Sequence, residues 1–383
     1  MCDITNIGML TIQETLKELV VCLSNTSIMF GDVPPLPTCT ESYAFQVAGH
    51  SRENASSFEI LRDKSKPIIY KSLQDRERGM REVMFYQNVF SADASEALKR
   101  LRQFIPTYYG VFQCPGTKAY YMALSDLVAD FKQPNICDFK MGTVINYPED
   151  TIPDDQFQYT WRRELGIMLA GIQISDSVNH CLIKLNKAFG RTLTPEQVYS
   201  LCVKPFLGAD PTYSVKLAQN YIIQLSRILN WYVEYGAKEL TFCRSSLLLI
   251  HESLANDNSN NDHCLSESCS SSSPISPSTT TTVDNQSVNS SNDIINSDIT
   301  ISSNGGNISN TSSGSSGNNT AHTEVYLIDF VRWKAKSSTD VNDNGGCSKD
   351  CWSCELTDGF RHGLETLIGL MQRVVNTENS AEM

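Results

Sequence analysis

PNICDFKMG, residues 134–142, sets an aspartate and a lysine two positions apart in an otherwise apolar run that closes on glycine. Residues i and i+2 of a strand share a face, so the stretch predicts Asp138 and Lys140 side by side. A lysine among Ile136, Cys137, Phe139 and Met141 is costly unless something pairs with it. An ion pair between Asp138 and Lys140 would explain both residues with no chemistry at all. A carboxylate that holds hydroxyls beside an ammonium that meets a phosphate would need the same arrangement.

Working outward, three other places carry charge inside apolar sequence. Lys71 stands alone in the predicted strand IIYKSL, and Glu82 follows eleven residues later on the predicted helix REVMFY. A strand lysine oriented by a helix glutamate is one way to hold ATP phosphates. A solvent-facing lysine on an edge strand is the plainer alternative. ALSDLVADF (123–131) runs from a strand into a polar link. LIDF places Asp329 at the end of a hydrophobic strand, where a carboxylate suits Mg²⁺ bridging phosphates or simply caps a turn.

Composition bounds the rest. The chain has 383 residues, 40% hydrophobic and 9% aromatic, enough for one large or two ordinary domains. No apolar run reaches about 20 residues, so no membrane span is expected. The opening MCDITNIGMLTIQETLKELVVCL lacks a basic n-region and reads as an amphipathic helix rather than a secretory signal. With no signal, the thirteen cysteines are expected to be mainly buried thiols. Cys347, Cys351 and Cys354 form CSKDCWSC, a spacing outside the standard zinc patterns; it reads as a flexible loop, with metal binding the alternative. The net charge of −12 argues against a broad nucleic-acid footprint, so any anionic ligand needs a local basic pocket.

Residues 253–322 are dominated by Ser, Asn, Thr and Gly and hold six acids and no Lys or Arg. Such a segment buries too little apolar surface to offset its ordering entropy, and is expected to be a disordered insertion. FCRSSLLLIHE (242–252) before it and EVYLIDFVRW (324–333) after it read as the strands of a hairpin whose loop has grown. Residues 43–126 look strand-rich (YAFQVAG, SFEIL, PIIYKSL, YYGVFQC, AYYMALSDL), interrupted by a helix RGMREVMFYQNVF that continues into EALKRLRQF. Residues 154–236 look mainly helical, with Thr194 capping a helix that has Pro195 at its first position. The final helix is expected to turn Leu364, Leu367, Ile368, Met371 and Val375 to the core.

Taken together and in order, these residues resemble the inositol polyphosphate kinase family, whose P-x-x-x-D-x-K-x-G motif is matched by Pro134, Asp138, Lys140 and Gly142. FQVAGH (45–50), YKSL, REVMFY, YYG (108–110), GRTLT (190–194), SSLL (245–248), LIDF and DGFRHGLETLI match in sequence order. The likeness covers roughly 43–252 and 324–376 and is nearest the multikinase branch. It implies an α+β, two-lobed, protein-kinase-like fold with ATP in the cleft between lobes. The implied layout is an N-terminal extension 1–42, an N-lobe 43–126, a C-lobe 127–252 with an inositol-phosphate segment at about 143–173, the insertion 253–322, and a C-lobe completion 323–383.

The resemblance also implies roles. Lys71, set by Glu82, would bind ATP phosphates. Ser125 and Leu127 would touch adenine through their backbones on either side of Asp126. Asp138 would hold the ribose hydroxyls, Lys140 the inositol phosphate near the accepting hydroxyl, and Asp329 the Mg²⁺ with help from Ser246. Lys140, Asp329 and Lys71 are thus the catalytic candidates, and ATP and Mg²⁺ the cofactors. No Walker A pattern or His-Arg-Asp loop is present. The acceptor side departs from the family: Glu149, Asp150, Asp154 and Asp155 stand where basic or amide residues are usual, Gln173 replaces an arginine, and Arg332 follows LIDF in place of histidine. Arg162, Arg163, Gln173 and Arg332 are the candidate acceptor residues, with Lys132, Lys184, Lys187 and Arg191 as further cations. The expected activity is ATP-dependent phosphorylation of an inositol tris- or tetrakisphosphate by a monomer in the cytoplasm or nucleus. The alternatives are a hexakisphosphate kinase making pyrophosphates and a non-catalytic inositol-phosphate-binding scaffold.

Overall fold

A computed structural model describes residues 32–48, 60–73, 76–147, 159–176, 181–254, 300–303, 321–336 and 352–381. The predicted N-terminal amphipathic helix, Cys347 and Cys351, the acids 149–155 and most of the insertion lie outside the described residues. The protein is α+β and two-lobed. The first lobe is a five-stranded antiparallel sheet ordered β1-β2-β3-β5-β4, built from β1 (Thr40–Ser42), β2 (Ile60–Asp63), β3 (Ile68–Ser72), β4 (Tyr108–Gln113) and β5 (Tyr120–Ser125). Helix α1 (Arg76–Phe90) follows β3. Its face of Val83, Phe85, Tyr86 and Val89 is buried at helical spacing.

The second lobe holds a six-stranded sheet in which β6 (Pro134–Met141), β7 (Ile167–Asp176) and β8 (Cys181–Asn186) run side by side. A short β9 (Leu240–Phe242) precedes β10 (Ser246–Glu252), which lies between β6 and β12 (Thr323–Ile328). β11 (Thr300–Ser303) pairs with β8 at the sheet edge, and β13 (Trp333–Ala335) pairs with β9. β10 and β12 are antiparallel, as the grown-hairpin reading requires, in a register that sets Ser246 opposite Ile328. Helix α2 (Pro211–Trp231) starts on an Asp210 cap that accepts from the Tyr213 N–H at 2.6 Å, and packs against α3 (Trp352–Ala381). On α3, Leu364, Leu367, Met371 and Val375 are buried as the stripe predicts, and Thr194 forms a full capping box with Gln197. No helix among the described residues is long and apolar enough to cross a membrane.

Three expectations fail locally. Residues 154–236 are mainly helical where described, but not throughout: β7 and β8 interrupt the helices and enter the large sheet. GIMLAGIQI is buried on both faces, so it shows an apolar run instead of strand alternation. The helix through RGMREVMFYQNVF does not continue into EALKRLRQF. Ser95 caps a new helix by accepting from the Leu98 N–H, while the Arg102 guanidinium donates to the Val89 and Ser91 carbonyls. Tyr43–Ala48 is not a strand but a strap over the C-lobe sheet, held where Lys184 Nζ donates to the Ala44 carbonyl at 3.0 Å.

The lobes share one core. Phe85 of α1 stacks on Phe330 with ring centroids 3.9 Å apart, and Trp333 Nε1 donates to the Arg81 carbonyl. The helix carrying Glu82 is therefore clamped to the segment carrying Asp329.

Candidate functional site

Three adjacent strands end in one row. Lys140 on β6 lies opposite Ser246 on β10, which lies opposite Ile328 on β12. Directly opposed residues share a face, so this row and the row of Asp138 and Leu248 both look toward the first lobe. The chain leaves β12 at Asp329 with φ 62°, a left-handed conformation uncommon outside glycine and concentrated at functional sites. The turn swings the Asp329 carboxylate back over the row.

Lys71 reaches the same point from the other lobe. Its Nζ lies 2.8 Å from Glu82 Oε1 and 2.8 Å from Asp329 Oδ1, while Lys140 Nζ bonds Asp329 Oδ2. One carboxylate thus bridges two lysines from opposite lobes. Burial works against each charge, but the lysines outweigh it and hold the Asp329 carboxyl well below the usual carboxylate range. Burial likewise opposes the Lys71 ammonium, yet Asp329 and Glu82 hold its pKa well above the ordinary value. Glu82 is pushed up by burial, with Lys71 opposing.

Asp138 is outside this network. Lys140 pairs with Asp329 rather than with its neighbour, so the ion-pair explanation of the DFK motif does not hold. Asp138 is 3% exposed, and its Oδ1 has no hydrogen-bond partner among the described residues. Burial raises its pKa to about 6, against the pull of Lys140. A buried carboxylate oxygen with no donor, facing a cleft, suits a hydroxyl-bearing ligand. Ser246 Oγ, also buried and unpartnered, stands at the same strand end.

A cleft of about 1050 Å³, including its open mouth, lies between the lobes at this point. Lys71, Glu82, Asp138 and Asp329 form its polar end. Ser125 and Leu127 sit at the link between lobes, and Ile69, Leu124, Ile136 and Leu248 make its walls apolar, as a flat heterocycle would need. Asp126 is not a lining residue. It is buried under the link, accepts from Tyr43 Oη at 3.0 Å and the Val128 N–H at 3.2 Å, and pairs with Arg62 at 3.1 Å. It fixes the link rather than facing a ligand.

The acceptor-side candidates are scattered. Lys187 is the best placed: burial lowers its pKa, and repulsion from Arg191 and Lys140 lowers it further. Gln173 is buried opposite Ile136, four residues along β6 from Lys140, where its Nε2 donates to the Pro134 carbonyl. Arg332 is buried, and its carbonyl accepts from the Cys243 N–H and Tyr147 Oη. Arg162 and Arg163 line a separate pocket just beyond β6. Among the described residues no cluster of three or more His, Cys, Asp or Glu is present. Mg²⁺ does not require one, since it is commonly held by one or two carboxylates together with substrate phosphates. Asp329 with the unpartnered Ser246 hydroxyl fits that demand.

Comparison with known proteins follows this geometry. The inositol polyphosphate kinase family pattern matches residues 121–372. The chain belongs to the inositol polyphosphate kinase family. Its first-lobe residues Lys71 and Glu82 precede the matched stretch. Inositol polyphosphate multikinase of Mus musculus is 30% identical over 230 residues, covering 58% of this chain and 57% of its own length. Inositol polyphosphate multikinase alpha of Arabidopsis thaliana is 30% identical over 133 residues, covering 34% and 44%. The chain thus spans about half the length of these relatives. A solved inositol phosphate multikinase of S. cerevisiae, in complex with ADP and Mn²⁺, aligns with TM-score 0.48 at 17% identity over 80% of this chain and 98% of its own.

Sequence reasoning missed Gly171, Tyr43 and the Phe85–Phe330 stack. A Cβ on Gly171, directly opposite Asp138, would lie 1.9 Å from the Val47 carbonyl oxygen. The missing side chain is what admits the strap to the sheet. A glycine inside a strand pattern is the one signal that could have marked this close approach.

Proposed function

We propose that the protein transfers the γ-phosphoryl group of ATP to a hydroxyl of an inositol tris- or tetrakisphosphate. The observation that supports this most is Asp329, one carboxylate shared by Lys71 from the first lobe and Lys140 from the second. Lys71 holds the phosphates of the nucleotide, Asp138 takes the ribose hydroxyls, and the backbone at Ser125 and Leu127 meets adenine. Asp329, with Ser246, holds Mg²⁺, which when bound neutralises charge on the phosphates. As the nucleotide binds, Lys140 is freed to face the acceptor, with Lys187 and Arg191 adding positive field. Phosphoryl transfer asks the protein mainly for positioning and charge stabilisation. Two lysines on either side of the moving group, brought to one point by a shared carboxylate before the nucleotide binds, supply both.

The test is purified protein with Mg²⁺, labelled ATP and a panel of inositol phosphates. Label should appear in a tris- or tetrakisphosphate acceptor. Label confined to the hexakisphosphate would replace this acceptor with the pyrophosphate-forming alternative. No transfer to any member would leave a binding protein and refute the proposal.

A further inference from the structure

The pocket beyond β6 contains a cation without an anion. Arg162 is 6% exposed, and one of its nitrogens, Nη2, donates to the Met141 carbonyl at 2.9 Å. Its Nε has no hydrogen-bond partner, and no carboxylate lies within ion-pair distance of it among the described residues. Taking a guanidinium out of water without a counter-charge costs several kcal/mol, which is why buried charges are paired or bind ions. Burial pulls its pKa down, to about 10, and the nearby Arg244 adds to the lowering.

The surroundings supply donors and little to satisfy the charge. Thr143, Asn146, Thr160 and Arg163 share the lining with Arg162, and the acid present, Glu355, is 3.9 Å from the exposed Arg163. Asn146 Oδ1 is already occupied by Arg244 Nη2 at 2.7 Å. Two guanidinium groups and two hydroxyls around a polar hollow match a tetrahedral oxyanion, which accepts several charge-assisted bonds at once. The Arg162 bond to the Met141 carbonyl places this hollow next to the strand end that carries Lys140.

We propose that the Arg162–Arg163 pocket binds a phosphate group, separately from the nucleotide cleft. The phosphate comes either from the phosphorylated acceptor, an assignment that rests on the function proposed above, or from a free phosphate ligand. The site itself rests on the geometry of Arg162 and stands without that function.

The experiment measures thermal stability of the full chain against inorganic phosphate, with ADP and Mg²⁺ present to fill the cleft. Phosphate should raise Tm. Arg163→Ala, an exposed change, should shift the phosphate midpoint upward by about tenfold or more. Arg162→Leu should abolish the response while keeping or raising the phosphate-free Tm, since replacing an unpaired buried ion with an apolar side chain is often stabilising. Lys140→Ala should keep the response. An unchanged midpoint in Arg163→Ala, or no phosphate response in the wild type, overturns the proposal. Adding a saturating inositol trisphosphate separates the sources. Loss of the phosphate response means that the acceptor's own phosphate fills the pocket, and persistence means a free ligand. A protein that responds to phosphate but transfers no label would keep this site and refute the kinase reading.

Discussion

The two ends of the site are built differently. At the nucleotide end, each charged group is fixed by another: Glu82 by Lys71, Lys71 by Asp329, and Asp329 by Lys140, with Phe85 and Phe330 clamping the helix to the strand end. At the acceptor end the two cations of the side pocket are held loosely, Arg162 by the Met141 carbonyl and the exposed Arg163 by Glu355 at 3.9 Å. A closed network fixes positions before the ligand arrives. An open set of cations takes its arrangement from the anion that binds. The first end is therefore expected to tolerate almost no change, and the second to trade affinity gradually.

The largest expected effect breaks the closed end. Asp329→Asn leaves Lys140 without its counter-charge, leaves Lys71 with Glu82 alone, and removes the carboxylate for Mg²⁺. Transfer should fall by about 10³-fold or more, with ΔΔG‡ of about 4 kcal/mol, as measured by initial rates at saturating substrates. Activity within tenfold of wild type would mean that Asp329 is only structural. Lys71→Met comes next. It strands Glu82, and kcat/KM for ATP should drop by about 10²-fold, with acceptor KM little changed. An effect on the acceptor alone would reverse the assignment of the lobes.

Gly171→Ala should act without touching a charge. The new Cβ forces the strap off the sheet, so both Tm and ADP affinity should fall, the former by about 1–3 kcal/mol of stability. Unchanged ADP affinity would detach the strap from the cleft. The smallest effect is a pH dependence. Asp138 has its pKa raised from 3.8 to about 6 in the folded protein. Between those values the folded state keeps a proton that the unfolded chain has released. The contribution of this group to stability is thus present below about pH 4 and is lost as pH rises to about 6. Asp138→Asn should flatten that decline in a Tm series from pH 4 to 6, and an unaltered slope would contradict the burial argument.

What could be read from the sequence follows the same division. Lys71, Glu82, Asp138, Lys140 and Asp329 were legible because charge inside apolar, strand-like runs is conspicuous and each lies in a short motif. Their mutual pairing was not, because Asp329 is 189 positions from Lys140 and 258 from Lys71. The hairpin around the insertion was legible from its two apolar flanks. β7 was misread as helical territory because a strand buried on both faces loses its alternation. The acceptor side was legible only as a set of cations. The structure separates them, with Gln173 on β7 opposite Ile136 and Arg162 and Arg163 in their own pocket. Spacing along a chain that returns from helices and strands in different layers carries no signal for that sorting.

The central claim is that one carboxylate joins a nucleotide half and an acceptor half with separate duties. Lys140→Ala tests it when ADP–Mg²⁺ affinity and label transfer are measured on the same preparation. The account predicts ADP affinity within about threefold of wild type and transfer reduced by about 10²-fold. Equal losses in both, or transfer left intact, would contradict it.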